Sequence, residues 1–193
     1  MPPKAKFTKE EIVSAALKIT RACGISAVTA RAIGAELNSS ARPIFTVFQN
    51  MEEVQREVVD AAKGLYNEYV RQGLGQKPAF KHVGMQYVRF AVDEPKLFQL
   101  LFMSEQEEIP NLSAVLSLID QNYQSIYLSI REGYDVDEKT AEKLYRHLWI
   151  YTHGIASLCA TKVCAFSERE MNNMLTEIFV ALLQKEKKEE KHD

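Results

Sequence analysis

Cysteine is scarce in this 193-residue chain. Cys23, Cys159 and Cys164 are odd in number and lack the spacing of a zinc motif, which excludes a disulfide framework and a metal knuckle. Cys159 and Cys164 stand five apart, about 140° around a helix, and so share no metal-binding face. This cysteine usage fits a reducing cytoplasm. Long apolar runs are also missing. No segment approaches the roughly 18 apolar residues that span a bilayer, and Met1-Pro-Pro-Lys-Ala-Lys leads into a polar helix start without the apolar stretch of a secretory leader. The chain therefore reads as cytoplasmic, neither secreted nor membrane-bound. Enzyme signatures are lacking as well: there is no GxSxG, no HExxH and no glycine loop for a phosphate. A di-iron bundle needs Glu-x-x-His pairs, but Ala79, Leu144 and Ile150 stand three before His82, His147 and His153; only Glu189 before His192 fits, in a charged tail. No enzyme activity, cofactor or metal is expected.

What is present is helical pattern. The chain is 46% hydrophobic and 26% charged, enough apolar content for a real core. No run of alternating β-branched residues marks a strand, so the predicted fold class is all-α. Thr8 and Glu11 form a capping-box pattern ahead of Ile12, Ala16, Ile19 and Cys23, with Gly24 as the stop. A second short helix starts at Thr29 and carries Ile33 and Leu37 inward. Asn38 suits a left-handed turn, and Ser40 reads as the N-cap of a third helix over 40–48, anchored by Ile44, Val47 and Phe48. Pro43 falls in its first turn, where an amide hydrogen is dispensable.

A long helix follows from near Glu52, with Val54, Val58, Ala61, Leu65 and Tyr69 on one face and Gly73 and Gly75 at its end. Phe80, Val83, Tyr87 and Phe90 mark the next, and Pro95 opens a short one through Phe102. Residues 103–111 read as a loop. A stripe runs from Leu112 to Ile130 until Gly133 interrupts it. Asp135 or Asp137 then restarts the chain into a helix reaching about Cys164. Ser167 and Glu170 make a second capping box for the last helix, and Lys185 to Asp193 reads as a frayed charged tail.

Charge divides the chain. Residues 1–48 hold seven Lys/Arg against three Glu, net +4, while the remainder is net −6. A basic module on an acidic body suggests a polyanion partner for the N-terminal quarter. Three short helices in about 40 residues, the last two joined by a tight turn, have the layout of a helix-turn-helix.

The run TKEEIVSAALKITRACGISAVTARAIGAELNSSARPIFTVFQNMEEV, residues 8–54, resembles the N-terminal domain of the tetracycline repressor (TetR) family. Thr29 to Leu37 matches its second helix, Ser40 to Phe48 its recognition helix, and Gln49 to Val54 the start of its connecting helix. Phe45 stands where the family usually has a Tyr, and Met51 where it usually has a Lys. The resemblance implies double-stranded operator DNA as partner. It leaves phosphate contacts to Thr29, Arg31, Asn50 and the amide near Met51, alongside Ser40 and Phe45 on the same surface. Ala41, Arg42 and Thr46 would face the groove, with Pro43 against a thymine methyl. Arg42 has two open readings, a bidentate contact to guanine or a phosphate contact. Lys4 and Lys6 either reach the minor groove or are solvated.

Farther on, Leu148-Trp-Ile-Tyr-Thr-His-Gly-Ile-Ala-Ser-Leu158 resembles the Trp, His-Gly segment of one TetR C-terminal subclass. The implied organisation is a DNA-binding domain over 1–51, a dimerisation and effector domain over 52–185, and a tail over 186–193. Family members pair their last two long helices with those of a second subunit. Here these are residues 138–164 and 168–185, although periodicity alone also allows a core within one chain. A small-molecule effector is implied, with Met85, Phe90, Phe98, Phe102, Tyr123, Tyr127, Trp149 and His153 each either pocket wall or plain core. The resemblance implies a ligand-released regulator, by default a repressor. The rival reading is a helical adaptor whose helix-turn-helix has lost its DNA affinity.

Overall fold

The computed structural model describes residues 6–105, 116 and 121–189. Among these residues there are eight α-helices, two 3-10 helices and no strand, as the periodicity predicts. The helices are α1 (Lys9–Cys23), α2 (Ala30–Glu36), α3 (Met51–Leu74), α4 (Ala79–Asp93), α5 (Pro95–Phe102), α6 (Tyr123–Tyr134), α7 (Glu138–Ala160) and α8 (Glu168–Glu189). The 3-10 helices span Ile25–Ala27 and Arg42–Thr46. Contacts gather the chain into two compact units. The first joins residues up to Leu65 with Glu94–Ser104; the second joins Tyr66–Asp93 with the chain from Glu105 onward. By contacts the units divide within α3, after Leu65, and α5 groups with the N-terminal helices.

In the first unit, Ile12, Ala16, Ile33, Ile44, Phe48, Val54 and Val58 lie in one core. α1 begins on the predicted capping box: Thr8 Oγ1 accepts from the Glu11 amide at 3.2 Å, and the Glu11 carboxylate accepts from the Thr8 amide at 2.8 Å. Its inward face differs from prediction at the far end, where Thr20 is buried and Cys23 exposed. Thr20 is tolerated inside because its hydroxyl donates to the Ala16 carbonyl at 2.9 Å.

The third element is not an α-helix over 40–48 but a 3-10 helix over Arg42–Thr46, with Ala41 and not Ser40 at its N-cap position. Pro43 lacks an amide hydrogen, and the Asn50 side chain already caps α3, so too little chain remains to establish i to i−4 bonds. The anchors still point inward. Ile44 and Phe48 are buried, and Val47 packs beside them.

α3 buries Val54, Val58, Ala62, Tyr66 and Val70, a strict repeat of four. Ala61, Leu65 and Tyr69, the predicted continuation after Val58, are only half-buried. Gly73 does not end the helix by flexibility. A Cβ there would sit 2.7 Å from the Val83 backbone, so it marks where α3 and α4 touch backbone to backbone.

Asp135, at φ 49°, ends α6, and Asp137 begins α7 by accepting from the Thr140 amide at 2.7 Å. Gly133 lies inside α6 and does not break it. α7 stops at Ala160 rather than Cys164, because Lys162 turns left-handed at φ 58°. α8 opens on the predicted Ser167–Glu170 box. It then runs to Glu189, five residues into the stretch read as frayed, and holds Glu186 buried with its carboxylate 2.7 Å from Lys143 Nζ on α7. The predicted stripe residues Leu112, Val115 and Ile119, most of the 103–111 loop, Lys4 and the chain end from Glu190 fall outside the described residues.

Two glycines separate packing from propensity. Gly73→Ala should cost about 1–3 kcal/mol in urea unfolding because backbone must move. Gly64, inside α3 and facing open space, should gain about 0.5–1 kcal/mol on substitution by Ala.

Candidate nucleic-acid interface and ligand cavity

The turn between α2 and the 3-10 helix is closed by backbone bonds. The Asn38 amide donates to Ala35 O at 3.1 Å and the Ser39 amide to Gly34 O at 2.7 Å, with Asn38 at φ 50°. This is a Schellman motif with asparagine in the left-handed position. Gly34 makes it possible: a Cβ would lie 2.9–3.0 Å from backbone atoms of Ser39, Ser40 and Ala41. The sequence reading passed over Gly34, although a glycine inside a short helical pattern signals close approach.

Around this turn the candidate DNA-facing residues are displayed outward. Thr29 caps α2 by accepting from the Ala32 amide at 3.1 Å. Arg31, Ser40, Arg42, Phe45 and Thr46 are exposed, Phe45 by 49%, and Ala41, Pro43 and Met51 are half-buried. Thr46 donates its hydroxyl to Pro43 O at 2.6 Å, which commits its proton locally. Asn50 Oδ1 accepts from the Glu53 amide at 2.9 Å, so its NH₂ group is the end left to donate outward.

Charge is sorted on this unit. On α1, Lys9, Lys18 and Arg21 are paired with Glu57, Glu36 and Glu94. Arg31 and Arg42, flanking the turn, meet no carboxylate among the described residues. Lys6 donates to the Ser39 hydroxyl at 3.0 Å, which brings the N-terminal arm to the same turn.

The second unit encloses a cavity of about 320 Å³ between α4, α6, α7 and α8 and the end of α3. Its walls repeat one spacing: Phe80, Gly84 and Tyr87 on α4 match Tyr145, Trp149 and Thr152 on α7. Positions i, i+4 and i+7 share a helix face, which is why both helices line it. Phe80 meets Tyr145 edge-on at 5.9 Å and Phe179 at 6.0 Å, and Tyr66 meets Tyr87 edge-on at 6.0 Å. Centroid separations of this size are those of favourable aromatic pairs.

Of the eight residues predicted for a pocket, Trp149 lines this cavity and seven do not. His153 stands just behind it, stacked on Trp149 at 5.2 Å, with Nδ1 and the Tyr87 hydroxyl hydrogen-bonded at 2.9 Å. Phe90 is buried against Tyr66 and Tyr69. Tyr123 stacks on Tyr127 and on Tyr145 at 5.5 Å. Phe98 and Phe102 sit in the first unit, 5.2 Å apart, and Met85 is half-buried on α4. The aromatic content was readable, but which aromatics share one face required the helices to be placed.

The family model for the tetracyclin repressor-like C-terminal domain matches residues 80–184, more than half of the chain and most of the second unit. The chain belongs to the tetracycline repressor-like family. A TetR-family protein is a transcriptional regulator, and the helix-turn-helix layout of the first unit agrees with that role. Comparison with curated proteins returned no match. In this TetR-family chain no described helix is long and apolar enough to cross a membrane.

Burial holds the His153 imidazole below its ordinary range. The fold therefore favours neutral His153, whereas the unfolded chain takes up a proton near pH 6.5. The resulting stability is complete above that value and is lost as pH falls through the lower folded value. Urea midpoints measured from pH 7.5 to 5.5 should fall on acidification, and His153→Gln should flatten that part of the decline.

Proposed function

We propose that the protein is a dimeric repressor that grips a near-palindromic operator through its N-terminal module, residues 1–51, and is released when a small molecule fills the cavity in its C-terminal body, residues 52–185. The observation that carries this reading is the outward display of Arg31 and Arg42, without carboxylate partners among the described residues, on either side of a backbone-locked turn. A rigid turn flanked by uncompensated cations suits a polyanion with defined spacing.

In this reading Arg42 presents its fork to a guanine edge, with Ala41, Pro43 and Thr46 beside it in the groove. Arg31, Ser40, the Asn50 NH₂ group, Thr29 and the amide of Met51 hold phosphates. Phe45 and Met51 supply apolar contact in place of a hydroxyl and a charge. Two such modules related by a two-fold axis read half-sites about 34–36 Å apart.

The two-fold is assigned to α7 and α8. Ile150, Gly154 and Leu158 follow each other at intervals of four on α7, with the two large side chains 47% and 39% exposed and open space before Gly154. Val180 on α8 is 41% exposed but lines the cavity of its own chain. An apolar stripe on α7, left outside its own core, fits packing against a second copy. The effector acts by binding the DNA-incompetent dimer more tightly, which lowers the competent fraction.

Selection from randomised duplex DNA at near-physiological salt should return an inverted repeat, with affinity falling steeply as salt rises. No enrichment even at low salt would favour the adaptor reading, in which exposed Phe45 meets protein instead. Arg42→Ala should cost about 1–3 kcal/mol and relax preference at one base pair per half-site; uniform weakening across sequences would reassign it to phosphate. Ile150→Glu should convert the dimer to monomer by light scattering while leaving the helical circular dichroism intact. A persistent dimer would place the two-fold elsewhere.

A further inference from the structure

We infer that the cavity of the second unit selects a small monocarboxylate with an apolar, aromatic body, and that Lys81 holds its acid group. This rests on the reading of the cavity as the effector site. The volume of about 320 Å³ is at the small end for ligand pockets, and ring faces and aliphatic side chains dominate its walls. Such walls leave most polar groups of a ligand without partners, which is costly, so the ligand body is apolar.

Charge then decides the head group. Among the described residues Lys81 is the one charged side chain lining the cavity; no described Asp, Glu or Arg joins it. It forms no ion pair among the described residues. Lys81 also lies in the first turn of α4, which carries no acidic residue, so the helix dipole there adds to its positive field. A cationic ligand meets repulsion, a neutral one gains little from the ammonium, and a dianion leaves one charge uncompensated. A single carboxylate matches the site.

The floor beside it is open because Gly84 presents no side chain. A Cβ there would meet Leu175 Cδ1 at 3.6 Å and Thr152 Oγ1 at 4.0 Å, so alanine fits and anything longer intrudes on the ligand space.

The test is calorimetric titration of the full chain with three probes matched in body, 4-butylbenzoate, 4-butylbenzyl alcohol and 4-butylbenzylamine. The expected order is benzoate tightest and amine weakest. Lys81→Met should weaken benzoate about tenfold or more, the scale of one charge-assisted hydrogen bond, and leave the alcohol nearly unchanged. Lys81→Arg should retain benzoate, and Gly84→Leu should block all three probes without loss of the helical signal. Binding of the amine as tight as the benzoate, or a Lys81→Met variant with undiminished benzoate affinity, overturns the inference. An alcohol that binds while benzoate does not leaves the cavity as the effector site but removes the acid. Failure of every probe at millimolar concentration overturns both readings.

Discussion

Backbone meets backbone at a glycine in each unit, and each of these contacts sets the direction of the element that follows. At Gly34 the turn after α2 folds back onto its own helix, so close that a Cβ would lie 2.9 Å from the Ser40 carbonyl carbon. At Gly73 the last turn of α3 lies against Val83 of α4 at similar range. Neither approach gains much from side-chain burial at the contact itself. What each does is fix a direction. The first sends the chain into the 3-10 helix with Ile44 and Phe48 inward and Arg42 outward; the second starts α4 with Phe80, Gly84 and Tyr87 facing the cavity. Interiors packed at near-crystalline density offer little room to accommodate a misplaced methyl at such points.

Electrostatics follow from that scaffolding. α1 brings three cations to three glutamates, so its positive charge is spent within the unit. Among the described residues, those displayed by the turn have no such neighbours, and the same sorting recurs in the cavity, where Lys81 is the one described charge among rings and aliphatic chains. Both features are invisible in net charge, which describes the N-terminal quarter only as +4. Formal charge counts residues; available charge depends on which carboxylates the fold delivers to them.

The parts of this structure readable in advance were those decided by a few neighbouring residues. The Thr8–Glu11 and Ser167–Glu170 boxes, the left-handed Asn38 and the Pro95 helix start are local, and the structure forms each of them. Readings that needed a partner element were weaker. Cys23 and Thr20 compete for the end of one face, and an intrahelical hydroxyl bond settled it. On α3, Ala61 and Ala62 are equally apolar, and only packing chose the repeat through Ala62, Tyr66 and Val70. The 3-10 geometry of Arg42–Thr46 depended on how much chain remained between two fixed ends. For the cavity, side-chain size drew attention to Phe98 and Tyr123, while the common spacing of Phe80-Gly84-Tyr87 and Tyr145-Trp149-Thr152 held the better clue.

The ion pair between buried Glu186 and half-buried Lys143 gives the end of α8 a structural role that its composition conceals. Read as letters, the stretch after Leu183 resembles solubilising filler, the sort of segment trimmed to aid crystallisation or replaced by a purification tag. Because helix α8 carries a carboxylate back into the protein there, a cut ahead of that residue would remove the group against which Lys143 is held and expose part of α7. The safe place to append or trim this chain therefore lies beyond that anchor, and the boundary between body and tail is drawn by one ion pair rather than by the onset of charged sequence.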